Sequence, residues 1–217
     1  MQILTLAKKK AKEIIRGLIP ANVLKDRYIY RRLGKRAGRK YLQLRALDMA
    51  GFKSQNAHRV PIDAKSFVFV CFGNIMRSAM AEFLLLRALN ETGRSDIRVM
   101  SAGLHAGNGT EAHPWAQLAA TTAGISLSSH RAKLLTREMV DQSDAILAMD
   151  FQNKSELLAQ YPDAANRIFM LSAYADPPWK NREIPDPYFG DEQKTSDCCK
   201  ALDVCVRRLL ATLEKVG

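Results

Sequence analysis

The sequence lacks the features typical of membrane-spanning, secreted and disulfide-stabilised proteins. It contains no run of about 18 apolar residues, which argues against a helix that spans a bilayer. Its first residues place a short apolar stretch before the lysines, the reverse of the order in a secretory signal. Only four cysteines occur in 217 residues, and no Cys-x-x-Cys pair is spaced for zinc. These absences predict a cytoplasmic protein that neither disulfides nor zinc organise.

Acidic residues are scarce in the first third of the chain. Residues 1–65 contain 17 Lys and Arg but only 4 Asp and Glu, whereas residues 66–217 contain 16 and 18. The basicity of the chain therefore belongs to a separate N-terminal extension, and residues 66–217 need their own explanation. With 47% hydrophobic residues, the chain has enough apolar side chains to fill a core.

The basic extension has two helical stretches. Leu4, Ile14, Ile15 and Leu18 recur at helical spacing among lysines, and Pro20 ends this short amphipathic helix. A second helical stretch runs to Gly51, with Gly34 and Gly38 weakening its middle, and residues 52–65 are predicted to be a linker.

Several partners fit the extension. Its apolar helix face favours an anionic membrane surface, on the inner side of the membrane, or an acidic protein partner. Nucleic acid also remains a possible partner, because Tyr28, Tyr30 and Tyr41 interleave with arginines and could stack on bases. The simplest alternative is a solvated arm that binds no partner.

Short apolar runs alternate with helical stretches from residue 66 onwards. The runs at 66–71, 97–102, 145–149 and 167–171 read as strands, and the stretches between them and after the last as helices. This alternation predicts an α/β fold, a doubly wound four-stranded parallel sheet with helices on both faces, preceded by the basic helical extension. Ligands of such folds bind at the carboxyl ends of strands, so the turn after the first strand is the candidate site.

That turn begins with Cys71 and ends with Arg77 and Ser78 at the start of a helix. Backbone N–H groups of a loop curled between strand and helix form an anion nest, and the helix dipole adds positive potential. The same field favours the thiolate of Cys71 as a nucleophile, while the fork of Arg77 matches two phosphoryl oxygens. Gly73 and Asn74 suit a left-handed backbone. The alternative is a small buried cysteine and a surface arginine, and a lysine-dependent Walker loop is excluded.

The sequence resembles the low-molecular-weight protein tyrosine phosphatases, in particular the bacterial exopolysaccharide-associated subgroup. The resemblance covers about residues 66–214 and rests on five motifs in order: VCFGNIMRSAMAE (70–82), SAG (101–103), SSHRA (128–132), AMD (148–150) and PDPY (185–188). It implies phosphotyrosine hydrolysis through a phosphocysteine, without metal or cofactor, on a tyrosine kinase of polysaccharide export in that subgroup.

The resemblance also implies roles for individual residues. Cys71 is the nucleophile, Arg77 the phosphate clamp and Asp186 the general acid and base. The further residues it implies are Phe72, Gly73, Ile75 and Met76 in the phosphate-binding loop, Asn74 and Ser78 as loop and thiolate supports, Ser101 and His130 as braces acting through Asn74, and Tyr188 as a substrate wall. Met76 stands where most members carry a second cysteine, so no disulfide with the nucleophile can form.

Plainer interpretations stay open for several of these residues. Phosphate ester cleavage needs a proton donor for the leaving oxygen, but Asp186 also fits a solvated turn. Without the resemblance, Ser101 and His130 are more simply interpreted as polar residues with satisfied hydrogen bonds at a strand end and in a loop. Tyr188 is as well explained as a residue that packs against its neighbours.

Two other functions remain possible. One is arsenate reduction on the same fold, although no further cysteine occurs between Cys71 and Cys198 to resolve the adduct. The other is a non-catalytic phosphotyrosine-binding module. Cys198, Cys199 and Cys205 are predicted to pack in the core, and the other histidines receive no role.

Overall fold

The computed structural model describes residues 21–52, 58–180 and 182–213. Its centre is a parallel sheet of four strands in the order β2-β1-β3-β4. The strands are β1 (Ser66–Cys71), β2 (Arg98–Gly103), β3 (Ala145–Ala148) and β4 (Ile168–Met170). The predicted doubly wound parallel sheet is confirmed, and each end of each strand lies within one residue of its predicted position.

Helices cover both faces of the sheet. They are α1 (Ala21–Met49), α2 (Arg77–Glu91), α3 (Pro114–Thr122), α4 (Arg137–Asp141), α5 (Phe151–Gln160) and α6 (Glu192–Leu213). Alternate residues of β1 point to opposite faces: Phe67 and Phe69 enter the core beneath α2, α3 and α6, whereas Val68 and Val70 enter the core beneath α1 and α5. Helix α4 and two short 3-10 helices were not predicted, because segments this short show no periodicity.

Helix α1 folds back on itself at Gly34, whose φ of 70° and ψ of −178° are not helical. The Tyr41 hydroxyl donates a 2.6 Å hydrogen bond to Asp26, 15 residues earlier. A straight helix would separate these residues by about 22 Å, so the arms 21–33 and 35–49 must lie against each other. At the contact, a Cβ on Gly38 would come within 2.7 Å of the Tyr30 ring.

The arms of α1 bury apolar side chains against α5 and the sheet. Ile29, Tyr41 and Leu44 join the core that contains Val68 and Val70. Burial, together with the Asp26 carboxylate, raises the pKa of Tyr41. Tyr41 is 1% exposed, so it is not available to stack on nucleic acid bases as its position among arginines suggested.

The predicted linker is only partly a linker in the structure. Val60 and Ala64 are buried in the core, and the Val60 N–H donates a 3.0 Å hydrogen bond to the Tyr174 hydroxyl. These apolar residues dock the segment, although their spacing has no period that a sequence reading detects. The predicted helix of residues 1–20 lies outside the described residues. None of the helices that the structure describes is long and apolar enough to cross a membrane.

Candidate active site

The candidate loop lies at the carboxyl edge of the sheet. Cys71 is the last residue of β1, which has β2 on one side and β3 on the other. The chain then turns through residues 72–76 into α2, whose first turn is not capped by any described side chain. The strand end, the loop and the helix N-terminus therefore surround one small space. In parallel sheets, ligands bind at this kind of place, outside the carboxyl ends of the strands where the strand order reverses.

Asn74 organises this loop from its centre. It is fully buried, and its φ of 55° is the left-handed conformation that asparagine tolerates better than most residues. Its side-chain amide donates to the hydroxyls of Ser78 (2.9 Å) and Ser101 (2.8 Å) and accepts from the Lys133 N–H (2.8 Å). Gly73 does not adopt a positive φ, contrary to the sequence-based expectation, because Asn74 alone makes the reversal.

The sulfur of Cys71 lies among hydrogen-bond donors. The backbone N–H of Asn74 donates to Sγ at 3.2 Å, and the Ser78 hydroxyl lies 3.0 Å from it. Since that hydroxyl already accepts from Asn74, its own hydrogen is available to the sulfur or to the carbonyl of Ala102 at 3.3 Å. Such donors stabilise a thiolate more than a thiol.

A second layer braces Asn74 from outside the loop. The Ser101 hydroxyl accepts from Asn74 and donates to Glu82 at 2.5 Å. The His130 Nε2 donates to the Asn74 carbonyl at 2.7 Å. Burial is the main cause that lowers the pKa of His130, with help from two nearby cations, so the ring is neutral at pH 7 and keeps its Nε2 hydrogen for this bond.

Arg77 is enclosed at the base of the loop. Its side chain is 2% exposed, and its guanidinium contacts Asp150 and Asp186, each at 2.6 Å, and the Ile184 carbonyl at 3.0 Å. Burial acts to lower the pKa of this group, but the two carboxylates outweigh it and hold the pKa above its usual value. Arg77 is therefore a permanent cation, and it is not the surface arginine of the alternative interpretation.

Asp186 reaches the site from the loop before α6. Its carboxylate is 38% exposed, with one oxygen on Arg77 and the other accepting from the Tyr188 N–H at 3.2 Å. The Tyr188 ring is half exposed and lies 5.8 Å from the His113 ring. The structure thus brings the predicted nucleophile, clamp and acid to one edge of the sheet, with Tyr188 at the rim.

The roles of three residues in or next to the site were not predicted from the sequence. Asp150 pairs with Arg77 and also caps α5 through the Asn153 N–H at 2.7 Å; its place before a helix was a visible signal, but the ion pair was not. A Cβ on Gly103 would lie 2.8 Å from the Phe72 carbonyl and 2.9 Å from the Asn74 nitrogen, so only glycine fits there. His105 was assigned no role from the sequence, but in the structure its Nε2 lies 2.5 Å from the Glu156 carboxylate.

The other cysteines do not take part in this arrangement. Cys198, Cys199 and Cys205 are buried, and burial raises the pKa of their thiols to about 12, 11 and 12. They pack in the core as the sequence predicts. Among the described residues, no cluster of three histidine, cysteine or acidic side chains is arranged to hold a metal ion.

Comparison with known proteins finds one matching family model and several similar proteins. Residues 66–217 match the model for low molecular weight phosphotyrosine protein phosphatase. The low molecular weight protein-tyrosine-phosphatase Ptp of Acinetobacter johnsonii is 33% identical over 142 residues, which are 65% of this chain and 93% of that protein. The protein-arginine-phosphatase of Bacillus subtilis is 30% identical over 148 residues, 68% of this chain and 96% of that protein. The crystal structure of the Erwinia amylovora tyrosine phosphatase AmsI aligns with a TM-score of 0.63 at 28% identity, covering 70% of this chain and 94% of that one.

Proposed function

Since the chain belongs to the low molecular weight phosphotyrosine protein phosphatase family, we propose that it hydrolyses phosphotyrosine in proteins through a phosphocysteine intermediate. The observation that carries this proposal is the Cys71 sulfur, held by the Asn74 N–H at 3.2 Å and next to the Ser78 hydroxyl at 3.0 Å. A sulfur placed among donors, at a strand end and in front of a helix N-terminus, is suited to attack an anionic phosphoryl group.

The first half-reaction transfers the phosphoryl group to sulfur. The Cys71 thiolate attacks phosphorus, the S–P bond forms, and the bond from phosphorus to the tyrosine oxygen breaks. Asp186 gives its proton to that oxygen, so tyrosine leaves as a neutral phenol. Arg77 and the N–H groups of the loop stabilise the charge on the three equatorial oxygens.

The second half-reaction returns the enzyme to its starting state. Asp186, now a carboxylate, takes a proton from a water molecule while that water attacks phosphorus. The S–P bond breaks, inorganic phosphate leaves, and the Cys71 thiolate and the protonated Asp186 are restored. The groups that act in both half-reactions are side chains and backbone N–H groups of this chain.

Arg77 exchanges one of its partners during the reaction, because substrate binding replaces the Asp186 carboxylate with phosphoryl oxygens. Without substrate, the Asp186 carboxylate occupies one edge of the guanidinium at 2.6 Å. Two phosphoryl oxygens would take that edge, because they match the fork of arginine. Asp186 then leaves Arg77 and is free to hold a proton for the leaving oxygen, while Asp150 keeps the guanidinium in place.

The remaining predicted residues support the reacting groups in this proposal. Asn74 and Ser78 hold the loop and the sulfur, and Ser101 and His130 act as positioning residues through Asn74. Tyr188 forms a wall for the substrate ring, supported by His113. Phe72, Gly73, Ile75 and Met76 complete the loop, and Met76 is buried in the core, where the residue is 3% exposed.

A substrate comparison tests the proposal, because the relatives include phosphatases named for tyrosine and for arginine. We expect kcat/KM for a phosphotyrosine peptide, measured with a chelator present, to exceed that for the matched phosphoarginine peptide by about tenfold or more. The reason is that the aromatic ring of Tyr188 can stack on the phenyl ring of phosphotyrosine. Tyr188→Ala should reduce this ratio. A preference for phosphoarginine would overturn the assignment of substrate.

Arsenate reduction is not favoured. Its second step requires a thiol that can reach and resolve an adduct on Cys71, and the three other thiols are buried with raised pKa values. A non-catalytic phosphotyrosine-binding module is also disfavoured, because nucleophile, clamp and acid lie together at one edge of the sheet.

We further infer that residues 1–20 hold the enzyme on the anionic inner surface of the membrane, near a tyrosine kinase of polysaccharide export. Support comes from the sequence alone, which places Ile14 and Ile15 on an apolar helix face among lysines. The full chain should sediment with phosphatidylglycerol vesicles and not with phosphatidylcholine vesicles. The substitution Ile14→Glu with Ile15→Glu should weaken sedimentation about tenfold, and equal binding of both proteins would contradict the inference.

A further inference from the structure

We propose that α1 supplies a basic substrate track, formed by Arg32, Lys35, Arg36, Arg39 and Lys40, that binds an acidic segment next to the phosphotyrosine of a protein substrate. This inference rests on the proposed function, because it names what the extension adds to the phosphatase site. The family model begins at residue 66, so these five residues lie outside the matched domain.

The track begins at the phosphate-binding loop. The Arg32 guanidinium carbon lies 4.7 Å from the centre of the Phe72 ring, a cation–π contact with the residue that follows Cys71. Phe72 also contacts the His105 ring, with ring centres 4.6 Å apart. Arg32 is exposed, and among the described residues no carboxylate pairs with it. An unneutralised cation therefore stands at the rim of the site.

The track continues into a groove between α1 and α5. The groove has a volume of about 340 Å³, and Lys35, Arg36, Arg39 and Lys40 line one side while Leu158 and Ala159 of α5 line the other. Lys35 follows Arg32 by three residues, so their Cα atoms lie within about 11 Å of each other. A peptide of a few residues in extended conformation is long enough to link the two.

The charge of the groove selects an anionic occupant. Its four basic side chains are exposed, no acidic residue lines it, and within residues 21–52, 58–180 and 182–213 none of the four forms an ion pair. Several cations without acidic partners around one concave surface produce a positive potential, which attracts anions and speeds their association with the protein. Carboxylates or further phosphates on a substrate segment meet that requirement.

A peptide fits these observations better than a membrane or a nucleic acid. A peptide chain can lie along a groove between two helices, whereas a flat lipid surface contacts only the edges of the groove. Arg32 contacts Phe72 of the loop that would hold the phosphotyrosine and lies three residues before Lys35 of the groove, so one peptide is long enough to reach both. Tyr41, one of the three tyrosines that would stack on nucleic acid bases, is buried.

Peptide kinetics with matched variants test the track. Three phosphotyrosine peptides are compared: one with aspartates before the phosphotyrosine, one with aspartates after it, and one with asparagines in both places. The variants are Arg32→Met, Arg32→Lys and the double variant Arg36→Ala with Arg39→Ala. The control is Arg27→Ala with Arg31→Ala, which removes two exposed charges from the other arm of α1, outside the groove. An aryl phosphate is measured with every protein.

The expected result is a loss of preference for acidic flanks. The full chain should favour one of the acidic peptides over the neutral one in kcat/KM, mainly through KM. Arg32→Met should reduce that ratio about threefold and the groove double variant about tenfold, since exposed charge pairs each contribute modestly. Arg32→Lys should retain most of the ratio, and salt at about 0.5 M should erode it. The control should keep the ratio of the full chain.

Two results would overturn the track. One is an equal ratio for the full chain, the groove variant and the control, and the other is an equal loss in groove variant and control. If the full chain hydrolyses no aryl phosphate, the proposed function fails. The track is then judged by anisotropy of the labelled peptides: binding that depends on Arg32 and Arg36 supports it, whereas anionic vesicles that displace the peptide and bind through the same residues replace it with a membrane site.

Discussion

Cys71→Ser should lower kcat for an aryl phosphate by at least about 10⁴-fold, because a serine hydroxyl is not ionised at neutral pH and is a far weaker nucleophile than a thiolate. The substitution keeps the size of the side chain and a donor for the neighbouring Ser78 hydroxyl, 3.0 Å from the sulfur. The loop should therefore keep its shape and still bind inorganic phosphate. The measurement is steady-state hydrolysis with the chelator present, together with a phosphate titration of the variant.

The other thiols provide the control for this prediction. Iodoacetate carries a carboxylate that the loop should accept, so one equivalent should modify Cys71, and inorganic phosphate should protect it. Burial raises the pKa of Cys198, Cys199 and Cys205 to about 11 or 12, and these thiols should stay unmodified in the folded protein. Mass spectrometry after acid quench should also find a phosphoryl group on Cys71. Equal turnover by parent and variant would refute the phosphocysteine mechanism.

The sheet and its ligand edge could be predicted because their signals are local. Each strand is a short apolar run, and each crossover helix has its own periodicity, so the alternation alone specifies a parallel sheet. The loop from Cys71 to Ser78 was also visible, since spacing, residue type and position after β1 all point to anion binding.

The parts that were missed depend on contacts between distant segments. The reversal at Gly34 is held by a bond between Asp26 and Tyr41, and no local pattern pairs those residues. Asp150 and Asp186 share one guanidinium although they lie 73 and 109 residues from Arg77. A sequence reading sees an N-cap aspartate and a turn aspartate, and only the fold makes them the two carboxylates of one buried cation.

The contacts of the N-terminal extension could be predicted even less than those of the site. Its charge and helical spacing were visible, but the contact of Arg32 with Phe72 and the 3.4 Å ion pair of Arg45 with Glu183 were not. Glu183 in turn accepts from the Phe151 N–H at 3.1 Å, at the start of α5. Through these contacts α1 touches both sides of the candidate site, so an apparent appendage is joined to the loop and to the segment that carries Asp186.

Asp186→Ala should lower kcat for phosphotyrosine by about 10²- to 10⁴-fold, the usual range for loss of a general acid. The loss should grow with the basicity of the leaving phenol, because a phenolate that leaves readily needs no proton. A series of aryl phosphates therefore measures the role directly: the dependence of log kcat on leaving-group basicity should be shallow in the parent and steep in the variant.

The ion pair with Arg77 adds a second expectation that distinguishes this aspartate from Asp150. Removing Asp186 frees one edge of a guanidinium that it occupies at 2.6 Å, so inorganic phosphate should inhibit the variant about threefold to tenfold more strongly than the parent. Asp150→Asn removes the other carboxylate, which also caps α5; it should lower activity without steepening the leaving-group dependence, since Asp150 does not transfer the proton. A steep dependence in Asp150→Asn and a shallow one in Asp186→Ala would reverse the two roles.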